Sequence, residues 1–374
     1  MKIGIVGCGF VADLYLDTLA RHPELELVGV TDTDQDRAAK LAKRAGVRHH
    51  DSLTGLLDGA TELVLNLTNP RSHYEVSVAA IEAGKHVYSE KPLAMAMDKA
   101  LDLAERADRA GVALSSAPCS ILGETAQTMW RAIRRDRVGR VRAVYAEMDD
   151  GMVHLMQYRK WLSPAGTPWP FKDEFEIGCT LEHAGYCLTW LAAWFGPAES
   201  VQSFASVQIP DKCPGVELDL VSPDFSVACI QFANGVVARL TTSLVGPHDH
   251  SVRVIGERGV LSTHDSWDFR SRVSFHRFVT LRRRSFVSKV PEPVRLAPSP
   301  YVRTSSQGAQ TIDFGRGPAE MVAALRERRR SRLPTDFCLH VNEMVLAIHS
   351  ASTSRAAHRM TTTFEPLSPT DWAQ

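Results

Sequence analysis

Along the first 118 residues, short apolar runs alternate with segments of helical period. Residues 2–6, 25–31, 63–67, 85–89 and 112–116 read as strands, because each is a compact apolar run bounded by turn-forming residues. Residues 10–21, 35–45, 74–83 and 96–110 repeat apolar positions at helical spacing. Strands and helices that alternate in this way build a doubly wound parallel sheet with helices on both faces.

The pattern changes after Pro118. Residues 126–135 read as a helix and 141–148 as a strand. A loop rich in Pro, Gly and Trp then spans 158–171. Residues 181–195 are helical, and strands dominate beyond them, at 200–209, 225–232, 236–244, 251–255 and 260–263. Asn234-Gly235 lies between two of these runs and marks a hairpin, since both residues tolerate positive φ. From 272 to 317 the pattern is weak and reads as an exposed excursion, before helical segments at 319–329 and 337–351. The expectation is a Rossmann domain over 1–118 and an α+β domain over 119–374 with a large, mostly antiparallel open sheet.

The 374 residues are enough for two or three domains. Lys+Arg 43 balances Asp+Glu 43, so no net field favours nucleic acid or an anionic membrane. Apolar runs stop well short of the ~18 residues a spanning helix needs. Seven widely spaced cysteines without a CxxC pair read as free thiols in a reducing compartment. Met1-Lys2 runs straight into a strand, so no leader is expected and the protein is placed in the cytoplasm.

Gly7-Cys8-Gly9-Phe10-Val11-Ala12 is a G-x-G-x-x-A motif between a strand and a helix. Gly7 permits the tight turn, Gly9 lets main chain approach a pyrophosphate, and Ala12 lets helix and strand pack closely. The helix start, with Phe10 and Val11, offers N–H donors and a favourable dipole. Asp32 closes the second strand, where a carboxylate accepts both ribose hydroxyls of NAD and repels the extra phosphate of NADP. Asp32 as a mere turn or cap residue is the plainer alternative. Arg37 is close enough to keep NADP open.

Further motifs follow in order: Leu67-Thr68-Asn69-Pro70-x-x-His73, then Ala83-Gly84-Lys85-His86-Val87, then Glu90-Lys91-Pro92-Leu93-Ala94. With Val138-Gly139-Arg140-Val141 and Gly256-x-x-Gly259 in the second half, the chain resembles the Gfo/Idh/MocA family of sugar and cyclitol dehydrogenases. The resemblance implies a nucleotide domain, an open-sheet domain and substrate in the cleft between them. It implies hydride transfer between NAD(P) and a carbinol or carbonyl of a sugar, sugar nucleotide or cyclitol. It implies that Thr68, Asn69, Pro70 and His73 line the cofactor, and that Glu90 and Lys91 stand at nicotinamide ribose and substrate. A cation at Lys91 suits this chemistry in its own right, because hydride removal from a carbinol leaves negative charge on oxygen. Pro92 biases Lys91 toward extended backbone.

The family's Asp-x-Gly-x-His pattern is absent. With Gly185 as the glycine, His183 stands at the Asp position and Cys187 at the His position. His183 and Cys187 share a helix face. His183 is a candidate acid/base group, since imidazole titrates near neutral pH; a satisfied structural histidine is the alternative. Trp161, Glu182, Tyr186 and Cys187 are candidate substrate contacts, although a cysteine there is by type a small core residue. The aromatics Tyr158, Trp161, Trp169 and Phe171 either stack on a ring or fill core space, and Asp173 and Glu174 are possible hydroxyl acceptors. His248-Asp249-His250 reads as a solvated turn, and no metal set is completed.

The missing pattern keeps two other classes in view: a dinucleotide-binding sensor without turnover, and an epimerase or lyase that holds NAD through an internal redox cycle. An open sheet face without helical cover points to a homodimer or homotetramer.

Overall fold

A computed structural model describes residues 1–301, 311–354 and 356–374. Residues 302–310, inside the weakly patterned stretch, lie outside the described residues. In chain order the elements are β1 (Lys2–Val6), α1 (Phe10–Leu19), β2 (Glu26–Thr31), α2 (Gln35–Ala45), β3 (Arg48–His49), α3 (Leu53–Leu57), β4 (Leu63–Asn66), α4 (His73–Glu82), β5 (His86–Ser89), α5 (Met97–Ala110) and β6 (Leu114–Ser116). There follow α6 (Glu124–Arg134), β7 (Val141–Asp149), α7 (Phe171–Ile177), α8 (Cys179–Phe195), β8 (Ala198–Ser206), β9 (Phe225–Phe232), β10 (Val237–Ser243), β11 (Val252–Gly256), β12 (Gly259–Thr263), β13 (Val273–Leu281), β14 (Arg284–Val287), β15 (Glu292–Val294), α9 (Arg316–Glu327), α10 (Thr335–His349) and β16 (His358–Arg359).

The chain divides into two units. The first gathers residues 1–119, 157–177 and 313–346. Its six strands pair in parallel in the order β3-β2-β1-β4-β5-β6. The order reverses between β1 and β4, which leaves a crevice at the carboxyl ends of those strands. Ile3, Ile5, Leu63, Val64, Leu65 and Val87 are all fully buried, as strands covered on both faces require. Helices end where the sequence lets them: Gly46 and Gly111 cap α2 and α5 in left-handed conformation.

Residues 157–177 are fastened to the rest of this unit by side chains at two places. Asp13 of α1 is buried; it accepts from Thr167 Oγ1 at 2.8 Å, from Arg44 at 2.8 Å and from Ser163 Oγ. Arg71 donates to the buried Glu176 of α7 at 2.8 Å. The segment read as an irregular loop therefore runs into a short helix, and Asp173 lies on it, 3.8 Å from Arg71.

The second unit carries a sheet in the order β14-β13-β12-β11-β7-β10-β9-β8-β16, with β15 against β13. All of its pairings are antiparallel except β7 with β10. Strands β13 to β15 fall in the stretch read as an excursion; their apolar positions are too sparse and too exposed at the far end to show a period. Helix α8 packs on β10, β7 and β9 and is buried along its whole length except at His183. A helix apolar on all sides belongs inside a core. The opposite face of this sheet leaves Tyr145, Phe204 and Val237 exposed.

Candidate active site

In the first unit the site starts at the end of β1. Gly7 has φ +93°, and a Cβ there would lie 2.6 Å from the Leu67 carbonyl. Only glycine fits this turn. A Cβ on Gly9 would meet nothing within 4 Å, so the main chain there borders open space. Gly9 is the N-cap of α1 and no side chain caps the helix. Phe10 and Val11 form the first turn, and the buried Ala12 packs beneath it. Uncapped N–H groups at a helix start, approached over glycine, suit a pyrophosphate.

Asp32 stands just past β2. Cys8 N–H donates to its Oδ2 at 2.6 Å and Asp34 N–H to its Oδ1 at 2.8 Å. The α2 cap is Asp34, whose carboxylate accepts from Asp36 N–H and Arg37 N–H. Arg37 is tied to Asp34 by its own Nε at 2.9 Å. Burial, then Asp32, pushes the Cys8 thiol up to about 12, so it stays neutral.

The loop after β4 is held by its own polar groups. Asn66 Oδ1 accepts from Thr68 Oγ1 at 2.6 Å, and Asn69 Oδ1 accepts from Arg71 N–H at 3.0 Å, with Pro70 next in line. His73 is fully buried, with Nδ1 2.7 Å from the Pro92 carbonyl and Nε2 3.0 Å from the Thr68 carbonyl. Burial lowers its pKa, against the pull of the two carbonyls that flank the ring. His73 thus joins the Thr68 loop to the turn after β5. On that turn the buried Glu90 accepts from Tyr15 Oη at 2.8 Å and from Lys91 N–H at 3.1 Å. Lys91 is half-buried and precedes a cis Pro92. These residues fit a dinucleotide: glycine cradle, ribose carboxylate and a lysine at the sheet's carboxyl edge.

Trp161 belongs to this unit. It is 37% exposed and leans on Trp169 at 5.0 Å, while Tyr158 and Phe175 pack beneath Trp169.

In the second unit His183 is the one residue of α8 that is not buried, with 17% of its side chain exposed. Its Nδ1 lies 2.7 Å from Asp150 Oδ2, closer to an ion pair than to an aligned hydrogen bond. Asp150 Oδ1 is 3.0 Å from His250 Nε2, and His250 Nδ1 faces Asp265 at 3.7 Å. The Trp267 ring sits 5.4 Å from His183, 4.5 Å from His250 and 5.3 Å from Tyr186. Burial opposes charge on Asp150, yet His183 and His250 prevail and hold its carboxyl well below the usual carboxylate range. Burial also opposes charge on His250, and Asp150 and Asp265 prevail there, raising it to about 9. The 248–250 segment is therefore no solvated turn: His248 is exposed, but His250 is buried in an ion pair. Asp150, His250, Asp265 and Trp267 carry no local motif. Pairing of Asp149 with Asp249 at the end of β7 brings Asp150 and His250 together, which no spacing in the chain reveals.

Glu182 and Tyr186 are buried on α8. Cys187 is buried with its Sγ 3.8 Å from Ser266 Oγ, and burial pushes the thiol up to about 12, so it offers no thiolate at neutral pH. Among the described residues no group of His, Cys, Asp and Glu is arranged to hold a metal. No described helix is long and apolar enough to cross a membrane.

The glycine cradle at the switch point of a doubly wound sheet defines a dinucleotide-binding fold. Residues 1–117 match the oxidoreductase family with NAD-binding Rossmann fold, and residues 126–262 match the GFO/IDH/MocA C-terminal domain. The chain belongs to the Gfo/Idh/MocA family of NAD-binding oxidoreductases. An uncharacterized oxidoreductase of Synechocystis sp. is 24% identical over 85% of this chain and 88% of its own. The D-glucoside 3-dehydrogenase of Escherichia coli is 30% identical over 36% of this chain and 44% of its own, and inositol 2-dehydrogenase 3 of Saccharopolyspora erythraea 36% over 28% and 32%. The chain thus matches less than half the length of these two dehydrogenases. Among solved structures, the WlbA dehydrogenase of Bordetella pertussis with NADH and UDP-GlcNAcA has a TM-score of 0.70 at 19% identity, covering 96% of this chain and 98% of that one. At that identity the likeness shows the fold.

Proposed function

We propose that this protein transfers hydride between NAD and a secondary carbinol of a sugar, sugar nucleotide or cyclitol. The observation that carries the reading is the placement of Lys91, whose main-chain N–H is held by Glu90, itself bonded by Tyr15, at the carboxyl edge of the parallel sheet that holds the glycine cradle. Gly7, Gly9, Phe10 and Val11 receive the pyrophosphate, and Asp32 receives the adenosine ribose. Thr68, Asn69, Pro70, His73 and Glu90 shape the rest of the cofactor wall. Asp32 with Arg37 already engaged by Asp34 favours NAD over NADP. When bound, NAD supplies the hydride acceptor or donor. The Lys91 ammonium stabilises negative charge developing on the reacting oxygen. His183 exchanges the hydroxyl proton. Trp161, Glu182 and Tyr186 contribute to substrate selection.

Nucleotide binding falls to residues 1–118 and substrate binding and assembly to 119–374. The exposed sheet face with Tyr145, Phe204 and Val237 is covered by further copies in a homodimer or homotetramer, which light scattering tests. Free cysteines throughout the chain support a cytoplasmic setting.

The experiment is NADH formation against a panel of myo-inositol, D-glucose, methyl glucoside and UDP-N-acetylglucosamine, in the native protein, Lys91→Ala and His183→Ala. Turnover that collapses in both variants supports the reading with both roles. Turnover that survives His183→Ala returns His183 to a structural role. Tight NAD binding without turnover on any compound points instead to a sensor or an internal redox cycle.

A further inference from the structure

We propose that Asp150 is a positioning residue for His183: its Oδ2 fixes the ring proton on Nδ1 and leaves Nε2 to exchange a proton with the substrate hydroxyl. This rests on the reading of His183 as the acid/base group.

The arrangement is built from four separated stretches. Asp150 follows β7, His183 lies on α8, His250 precedes β11 and Asp265 follows β12. Asp150 Oδ2 and His183 Nδ1 lie 2.7 Å apart and are both buried; neither has an aligned hydrogen bond among the described residues, so each is the other's partner by contact and charge. Since Nδ1 is buried, the exposed part of His183 lies away from it. A neutral imidazole carries one proton, and a carboxylate at Nδ1 selects the tautomer whose lone pair is on Nε2. The other carboxylate oxygen is occupied by His250, whose charge is favoured in turn by Asp265. Asp150 thus stays ionised and orients the ring without taking the proton itself. Trp267 packs against both imidazoles and restricts their planes.

In the oxidative direction the substrate O–H bond breaks and an Nε2–H bond forms, while the carbinol C–H pair passes as hydride to NAD. The imidazolium so formed is stabilised by Asp150. The reverse steps serve reduction. Other charged or titratable groups near the cluster are Asp149 of β7, Asp249, and His248, whose ring lies 4.2 Å from His250; Glu147 of β7 is paired with Arg239 and Arg253, and Cys187 is neutral.

The test is NMR titration of the His183 Cε1–H signal in labelled full-length protein, assigned by loss in His183→Gln, followed by kcat against pH on the panel compound turned over fastest. In Asp150→Asn the His183 titration is expected to fall by about one pH unit or more, because a stabilising anion is lost. The kcat is expected to fall about 10²- to 10⁴-fold with a small change in KM, and its pH profile to move with the titration. In His250→Gln the His183 titration is expected to move the other way, since a neighbouring cation is removed. Circular dichroism and the thermal melt of the full chain report that each variant is folded, and His250→Gln carries the test alone if Asp150→Asn does not fold. An unmoved His183 titration in folded variants, with turnover lost in His183→Ala, overturns the positioning role alone. Full turnover in His183→Ala overturns the reading beneath it.

Discussion

At the Gly7 cradle the working groups are main-chain atoms from neighbouring residues. At His183 they are side chains from four distant stretches of chain. The first arrangement needs glycine where any Cβ would strike Leu67, and the fold supplies the rest through a helix start. The second places a buried carboxylate between two imidazoles, so its energy depends on every member staying paired. The difference teaches where tolerance lies. A cradle made of backbone survives most side-chain changes nearby and fails at its glycines. A cluster made of charges fails when any one partner is removed.

The largest expected effect separates chemistry from binding. Lys91→Ala is expected to lower kcat by about 10²- to 10⁴-fold while NAD affinity, measured by calorimetry, stays within a few-fold. A loss of NAD affinity equal to the loss of rate would make Lys91 a cofactor ligand only. Gly7→Val comes next. Its Cβ would meet the Leu67 carbonyl at 2.6 Å in a left-handed backbone, so NAD binding is expected to disappear and the melting temperature to drop. Retained binding would show that the cradle can shift.

The histidine cluster is sharpened by pH. His250 is held at about 9 against an ordinary 6.5, so its pairing stabilises the fold fully below pH 6.5 and is lost as pH rises through 9. That window is worth about 3 kcal/mol. Denaturant unfolding at pH 6 and pH 9.5 checks it, and His250→Gln is expected to remove most of the difference. A native protein equally stable at both values would mean that His250 is not charged in the fold. A smaller effect is expected at Asp32, where Asp32→Ala should shift the NADP-to-NAD ratio of affinities by about tenfold or more toward NADP, since a repelling carboxylate is gone. The smallest is Ser163→Ala, which removes one hydroxyl from Asp13 and should cost about 1 kcal/mol in denaturant unfolding without changing turnover.

Five of the six parallel strands, four of their helices and the cradle were legible because each is written in contiguous residues: an apolar run, a helical period, a glycine pair; β3 and α3, two and five residues long, are too short to show a period. Lys91 was legible for the same reason, within one short motif. The second sheet was legible where strands are apolar on one face, and illegible at β13 to β15, where exposed charge hides the period. His183 stood out only because a familiar pattern was missing around it.

What the chain determined by itself is therefore whatever local sterics and periodicity dictate: the strands, the left-handed caps at Gly46 and Gly111, the turn at Gly7 that admits no side chain. What only the tertiary structure decided is which distant charges meet. It set Asp150 between His183 and His250, and it packed Ser163, Thr167 and Glu176 onto the nucleotide-binding unit. The physical reason is that backbone preferences act over a few residues. The pairing of buried charges depends instead on sheet register and helix packing, which bring together residues that share no stretch of sequence.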